Sequence, residues 1–306
     1  MEEVLYHPEL GYYASKRNPI GKEGDFYTSS DLDPLFGRLL AKQFAEFAKD
    51  IDDFTIVELG AGKGVLAKDI LNAQRFRYLI VERSAAMRAR QQEQLAGFDV
   101  DWMDALPTGL TGCVFSNEFF DALPVHRVVR RNGVLREVFV TEHFTEIEGD
   151  LSVSIDLPIA EGQLADINLE AREWTRRIAE SLKSGYHVAI DYGYLHREFY
   201  ARPRGTLMCY WRHQVSEDPY VRIGEQDITA HVNFSDLIEA GIDKSLNFVS
   251  FSSQFQFLTG LGILDEIERL AHAQTAESIS RIQSLKKLIL PGSMGDRFKV
   301  LVQRKS

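Results

Sequence analysis

The hydrophobic pattern of the chain alternates between two periods. Short apolar, β-branched runs at 54–59 (FTIVEL), 78–81 (YLIV), 112–116 (GCVFS) and 187–190 (HVAI) read as strands buried on both faces, which need no polar alternation. A further strand is expected near 99–102. Helical spacing falls between these runs: at 35–47, where Leu39, Leu40, Phe44 and Phe47 share a face, at 65–71, and at 84–95. It returns at 169–182, with Trp174, Ile178 and Leu182 on one face and Gly185 as the expected stop. Strand–helix alternation of this kind builds a parallel sheet with crossover helices. The stretch 1–54 reads as a loop-rich flap and a lead helix that delivers the chain to the first strand.

One region breaks this rhythm. Segments 125–131 and 134–140 flank Asn132-Gly133, the dipeptide that best fits a two-residue hairpin turn, and 145–155 repeats the pattern around Gly149-Asp150. An antiparallel meander inserted at about 125–168 is therefore expected, within a single domain over 55–306. The tail reads as a helix around 234–239, a strand near 248–251, helices from 255 to about 288, and a last strand at 298–302.

Composition narrows the function. The 306 residues carry 35 Lys+Arg against 45 Asp+Glu, a net charge of −10, which argues against coating nucleic acid. With 44% hydrophobic and 26% charged residues, no apolar run approaches the roughly 18 residues of a membrane span, so membrane insertion is not expected. Cys113 and Cys209 cannot form a disulfide framework, and the scattered histidines show no metal-ligand spacing, so no metal is expected. The first ten residues have neither an apolar core nor an Arg-rich face, which points to a cytoplasmic protein.

The candidate chemistry lies at the strand ends. Ligands of open parallel sheets bind beyond the carboxyl ends of the strands, so Gly60, Glu82, Asn117 and Asp191 should share one rim. Glu58-Leu59-Gly60-Ala61-Gly62-Lys63-Gly64 joins a strand to a helix, with a G-x-G-x-G spacing. Val65 occupies the third-glycine position of the dinucleotide fingerprint, and Gly62-Lys63 is followed by Gly64 where a phosphate loop needs Ser or Thr. S-adenosylmethionine, a cation with an amino-acid end, suits this acidic turn better than a pyrophosphate does. Glu82 is placed to accept both ribose hydroxyls of an adenosyl ligand, with Arg83 beside it, although dinucleotide enzymes use an acid there too. Asp104, followed by Ala105, is placed to meet the adenine amino group.

Several motifs together resemble the MidA-type methyltransferases, a family whose mitochondrial members assist complex I assembly. They are Leu5-Tyr6-His7-Pro8-Glu9-Leu10-Gly11-Tyr12-Tyr13, Gly24-Asp25-Phe26-Tyr27-Thr28-Ser29, the glycine turn, and Asn117-Glu118-Phe119-Phe120-Asp121-Ala122-Leu123-Pro124. Ile190-Asp191-Tyr192-Gly193, Gly205-Thr206-Leu207, Asp227-Ile228-Thr229-Ala230-His231-Val232 and Met294-Gly295-Asp296-Arg297-Phe298-Lys299-Val300-Leu301 complete the set, which runs nearly the whole length. The chain departs from the family pattern at Ser30-Asp31, usually Pro-Glu, and at Asn233, usually Asp. The resemblance implies a class I, Rossmann-like, seven-stranded, mostly parallel methyltransferase sheet, bound S-adenosyl-L-methionine, and methylation of an arginine in a protein substrate. Glu58, Gly60, Ala61, Gly62, Gly64, Glu82, Arg83, Asp104, Ala105 and Asn117 would then hold the cofactor. Asp25, Phe26 and Thr28 would cover it from the flap.

Methyl transfer is an in-line displacement, so holding the nucleophile near the methyl group does most of the work. A guanidinium stays protonated and asks for carboxylates in a fixed fork, and Glu118 and Asp121, three residues apart on one expected helical turn, are the candidates. Asp191 and Tyr192 could wall the substrate side. The implied partner is an arginine-containing protein, while a homodimer is one arrangement the sequence leaves open. Two alternatives stand beside this reading: an assembly chaperone that binds the cofactor with little turnover, and a nicotinamide-dependent oxidoreductase, which Val65 at the third-glycine position disfavours.

Overall fold

The structure is a computed structural model that describes residues 1–7, 9–14 and 29–306. Asp25, Phe26 and Thr28 lie outside the described residues. The chain begins with a short helix α1 (Glu2–Tyr6), then α2 (Ser29–Leu32) and the amphipathic lead helix α3 (Leu35–Ala48). The parallel framework follows: β1 (Thr55–Leu59), α4 (Val65–Ala73), β2 (Arg77–Val81), α5 (Ala85–Gln94), β3 (Val100–Met103) and β4 (Leu110–Asn117). All five residues of β1 are buried, as a central strand requires, and Ser84 caps α5 by accepting the Met87 N–H at 3.3 Å.

The meander is a separate four-stranded antiparallel sheet of β5 (His126–Arg131), β6 (Val134–Val140), β7 (Glu146–Gly149) and β8 (Leu164–Ile167), in the order β7-β6-β5-β8. Asn132 and Gly133 take φ of +53° and +77°, the hairpin turn their identity predicts. The second expected hairpin is absent. Gly149 stays in β7, the reversal falls at Thr141 to Thr145, and the chain beyond Asp150 packs Leu151, Ile155, Leu157 and Ile159 onto the sheet without strand structure. The insertion's arginines are paired internally: Arg127 with Asp166 (2.8 Å), Arg131 with Glu148 (2.9 Å), Arg136 with Asp150, and Arg130 with the backbone carbonyls of Leu157 and Ile159.

Helix α6 (Leu169–Ser181), capped by Asn168, leads into β9 (Leu182–Tyr194). Gly185 is not a helix stop but an interior residue of this thirteen-residue strand. Opposite Gly112 of β4, it brings the two backbones so close that a Cβ would lie 1.9 Å from the Gly112 carbonyl oxygen. Beyond β9 come α7 (His196–Phe199) and β10 (Leu207–Trp211), β11 (Gln214–Ser216) and β12 (Asp227–Ala230). These last three form a small antiparallel sheet that the hydrophobic pattern did not reveal. Then follow β13 (Val232–Asn233), α8 (Phe234–Ile242), β14 (Asn247–Ser253), α9 (Gln254–Leu261), α10 (Ile263–Ala273), α11 (Ala276–Ile289), α12 (Met294–Arg297) and β15 (Phe298–Lys305).

The main sheet runs β14-β15-β9-β4-β1-β2-β3, with β13 added beside β9; β15 is antiparallel to both its neighbours and the rest of this path is parallel. One apolar layer of α3, α4 and α9–α11 covers one face, and a second layer with α6 and α8 covers the other. A small cluster of Leu5, Tyr12, Cys209 and Ile228 docks the N-terminal segment onto the β10–β12 sheet. Among the described residues, no helix is long and apolar enough to cross a membrane.

Candidate active site

The carboxyl ends of β1, β2 and β4 open onto one cavity of about 900 Å3. Its floor is the glycine turn. Gly60, Gly62 and Gly64 have φ of +62°, +52° and +77°, left-handed values that strain any side chain, and α4 begins at once with no side-chain cap over its first N–H groups. Gly60 also backs onto Phe119, whose ring a Cβ would meet at 2.9 Å. Glu58, buried at the end of β1, accepts the Tyr78 hydroxyl at 2.7 Å, and burial pushes its carboxyl up to about 7.

Glu82 lines the cavity at the end of β2. Its carboxylate accepts the Ser84 N–H at 2.8 Å and the Gln91 side-chain amide at 3.1 Å, while burial holds its pKa above the ordinary range. Gln91 was not anticipated. It is fully buried on α5, donates also to the Gly62 carbonyl at 2.9 Å, and accepts Trp102 Nε1 at 3.0 Å, so one amide ties the β2 acid to the glycine turn. Asp104 lines the wall and pairs with Arg88, which also donates to the Glu82 carbonyl at 2.6 Å. Ala105 is exposed and stands outside the wall. Arg83 lies 4.5 Å over the Tyr6 ring and 3.6 Å from Glu2, so it joins α1 to the β2 loop.

The β4 end carries a local anomaly. Glu118 has φ +56°, a left-handed backbone uncommon for a non-glycine residue. Its Oε1 accepts the Asn117 amide at 2.9 Å and the Ser29 N–H at 3.2 Å. Burial, with Asp121 and Asp31 nearby, pushes its carboxyl up to about 8. Asn117 lines the same wall, and its buried Oδ1 has no hydrogen-bond partner.

Asp121 and Asp191 stand behind this wall rather than in it. Asp191 is fully buried; its Oδ2 accepts the N–H groups of Phe119 (3.2 Å), Phe120 (3.0 Å) and Asp121 (3.3 Å), and its Oδ1 accepts that of Tyr192 (2.9 Å). Residues 118–121 therefore form a bend wrapped on Asp191, not the expected helical turn, and Asp121 points away from the cavity toward the Tyr192 hydroxyl. Burial raises the pKa of both: Asp121 to about 6, and Asp191 further, because Asp121 and Glu118 add their charge.

Two aromatic residues from the start of the chain close the same end. The Tyr6 hydroxyl donates to the Ala122 carbonyl at 2.8 Å, Tyr13 donates to Asp227 at 2.9 Å, and the two rings stack at 5.5 Å. In the wall, the acids Glu2, Glu3, Asp31 and Asp104 outnumber Lys63 and Arg83, so the field favours a cation. Volume, glycine floor, orphaned Asn117 oxygen and acidic lining all fit an adenosyl sulfonium compound.

A mostly parallel sheet whose last strand, β15, lies antiparallel between β9 and β14, with a glycine turn after β1 and an acid after β2, is the sheet of a class I methyltransferase fold. The family model described as "Putative S-adenosyl-L-methionine-dependent methyltransferase" matches residues 37–252, and the chain belongs to that family; S-adenosylmethionine is its cofactor. The chain is 26% identical to "Protein arginine methyltransferase NDUFAF7 homolog, mitochondrial" of Drosophila melanogaster, over 98% of this chain and 79% of the relative. It is 27% identical to the human "Protein arginine methyltransferase NDUFAF7, mitochondrial", over 97% and 77%. A COG1565 superfamily protein from Burkholderia thailandensis, crystallised with S-adenosyl-homocysteine, superposes with a TM-score of 0.91 at 32% identity, over 99% of this chain and 86% of that one. The curated relatives overturn the expectation of a cytoplasmic protein, since they are named as mitochondrial and point to that compartment. Composition and a folded core do not carry the information that sets a compartment.

Proposed function

We propose that the chain methylates arginine in a protein substrate, in the service of complex I assembly as the family resemblance implies. The observation that carries this reading is Glu118, a partly buried carboxyl held in a left-handed backbone beside the cofactor turn and pushed up to about 8. The names of the curated relatives support it. Gly60, Ala61, Gly62 and Gly64 with Asn117 receive the amino-acid end of S-adenosylmethionine, Glu82 the ribose and Asp104 the adenine, with Glu58 and Arg83 at the borders. Asp25, Phe26 and Thr28 belong to the flap in this reading. The cofactor supplies an electrophilic methyl group.

Glu118 holds its proton at neutral pH until a guanidinium arrives, whose charge draws the carboxyl pKa down. The resulting carboxylate orients one guanidinium nitrogen toward the methyl carbon. As the new nitrogen–carbon bond forms and the carbon–sulfur bond breaks, the nitrogen's proton passes to Glu118. Asp191 and Asp121 act as positioning residues that hold Glu118 in its strained backbone. Tyr6 and Tyr13 line the side where the arginine enters.

The test is incubation with methyl-labelled S-adenosylmethionine and mitochondrial protein extract, with modified residues mapped by mass spectrometry. Label on arginine, lost with Glu118→Gln while cofactor affinity stays, is the expected result. Label on lysine or on a small molecule would overturn the substrate class. Cofactor binding with no transfer would favour the chaperone alternative.

A further inference from the structure

A second cavity, about 800 Å3, lies between the irregular segment 154–158 of the insertion and helices α6, α7 and α8, away from the glycine turn. His196, Asp236, Glu239 and Arg172 share its wall. Asp236 and Glu239 are three residues apart on α8 and so face the same way. His196 opens α7, and its backbone N–H donates to Ser235 Oγ at 3.0 Å, which ties α7 to α8 beside the cluster.

Three donor groups are gathered here. His196 Nε2 is 3.2 Å from Asp236 Oδ1, and one ligand atom from each of the three residues lies within 4.8 Å of the others. Glu239 Oε1 stands nearest the other ring nitrogen, Nδ1, at 3.7 Å, so an ion on Nε2 would draw the Glu239 side chain round the ring. Metal bonds of about 2.0–2.1 Å in a tetrahedral site separate neighbouring donors by about 3.3 Å. The His–Asp edge has that length now, and Glu239, with 54% of its side chain exposed, needs only a rotamer change to complete the set. Arg172 balances the charge without saturating it. Its nitrogens stand 3.9 Å from both carboxylates, beyond hydrogen-bond length, and its buried Nε–H donates to no acceptor.

We propose that His196, Asp236 and Glu239 form a binding site for a divalent transition metal of the Zn2+ class, with a fourth position facing the cavity and taken by water. One imidazole and two carboxylates suit zinc, whereas calcium prefers an all-oxygen shell and magnesium usually keeps several of its waters. The site joins the exits of two paired strands: α7 follows β9, α8 follows β13, and β9 carries Asp191 at the back of the candidate active site. A bound ion would clamp these exits together and stiffen the strand that supports Glu118.

The test is calorimetric titration of the full chain, freed of metal by chelator, with Zn2+ alone, and with Co2+ read by its visible absorption. Wild type is expected to bind one equivalent, with a melting temperature raised by the ion. His196→Ala and Glu239→Gln, both at the surface, are expected to weaken binding roughly tenfold or more, with circular dichroism unchanged. Arg172→Gln, which removes the competing cation, is expected to bind several-fold more tightly. No binding by wild type, or binding indifferent to both His196→Ala and Glu239→Gln, would overturn the proposal.

Discussion

Glu82 and Glu118 both face the cavity from the ends of strands in one sheet, yet they are built in different ways. Glu82 ends β2 in ordinary backbone, and one of its two acceptor bonds comes from Ser84, two residues on. Glu118 sits in a left-handed backbone that a distant Asp191 stabilises by collecting the next three N–H groups. One of its own partners, Ser29, is 89 residues away. The acid proposed for the cofactor is thus largely a product of local sequence. The acid proposed for chemistry depends on long-range contacts, which is how a fold can hold a carboxyl in a conformation and a protonation state it would not choose alone.

Breaking the long-range support should have the largest effect. Asp191→Ala orphans four N–H groups, and is expected to cost about 3 kcal/mol or more in urea unfolding and to abolish methyl transfer. Glu118→Gln should lower kcat by about 10²–10⁴ while the cofactor Kd moves less than about threefold, measured by single-turnover transfer and calorimetry. On the cofactor side, Gly62→Val at φ +52° should raise the S-adenosylmethionine Kd by about 100-fold. Gln91→Ala should raise it by about tenfold, since it removes the amide that holds both Glu82 and the glycine turn while leaving those residues in place.

The smallest effect is a pH signature that separates the two acids. The folded pKa of Glu118, about 8, lies above the ordinary 4.5, so the folded state binds the proton more tightly and stability falls as pH rises between those values. Glu118→Gln removes that dependence. The variant should gain on the order of 1 kcal/mol over wild type at pH 8, a gap that closes toward pH 5, read from thermal melts. A gap independent of pH would mean that Glu118 is not held protonated.

Sequence patterning by itself specified the parallel framework, the Asn132-Gly133 hairpin, the glycine turn and Glu82. Each rests on residues within a few positions of one another, where backbone sterics and periodicity act directly. It did not reveal the β10–β12 sheet, whose short strands alternate weakly and are stabilised by the N-terminal segment some 200 residues away. Gly185 read as a helix stop because glycine's common local use hides its rarer one, the close approach to Gly112. Tertiary structure alone decided that Asp191 and Asp121 stand behind the cavity and that Gln91 joins Glu82 to Gly62. It likewise brought His196 to Asp236 and Glu239, across 40 residues of chain. Burial and convergence of polar atoms are properties of the packed interior, and no local spacing encodes them.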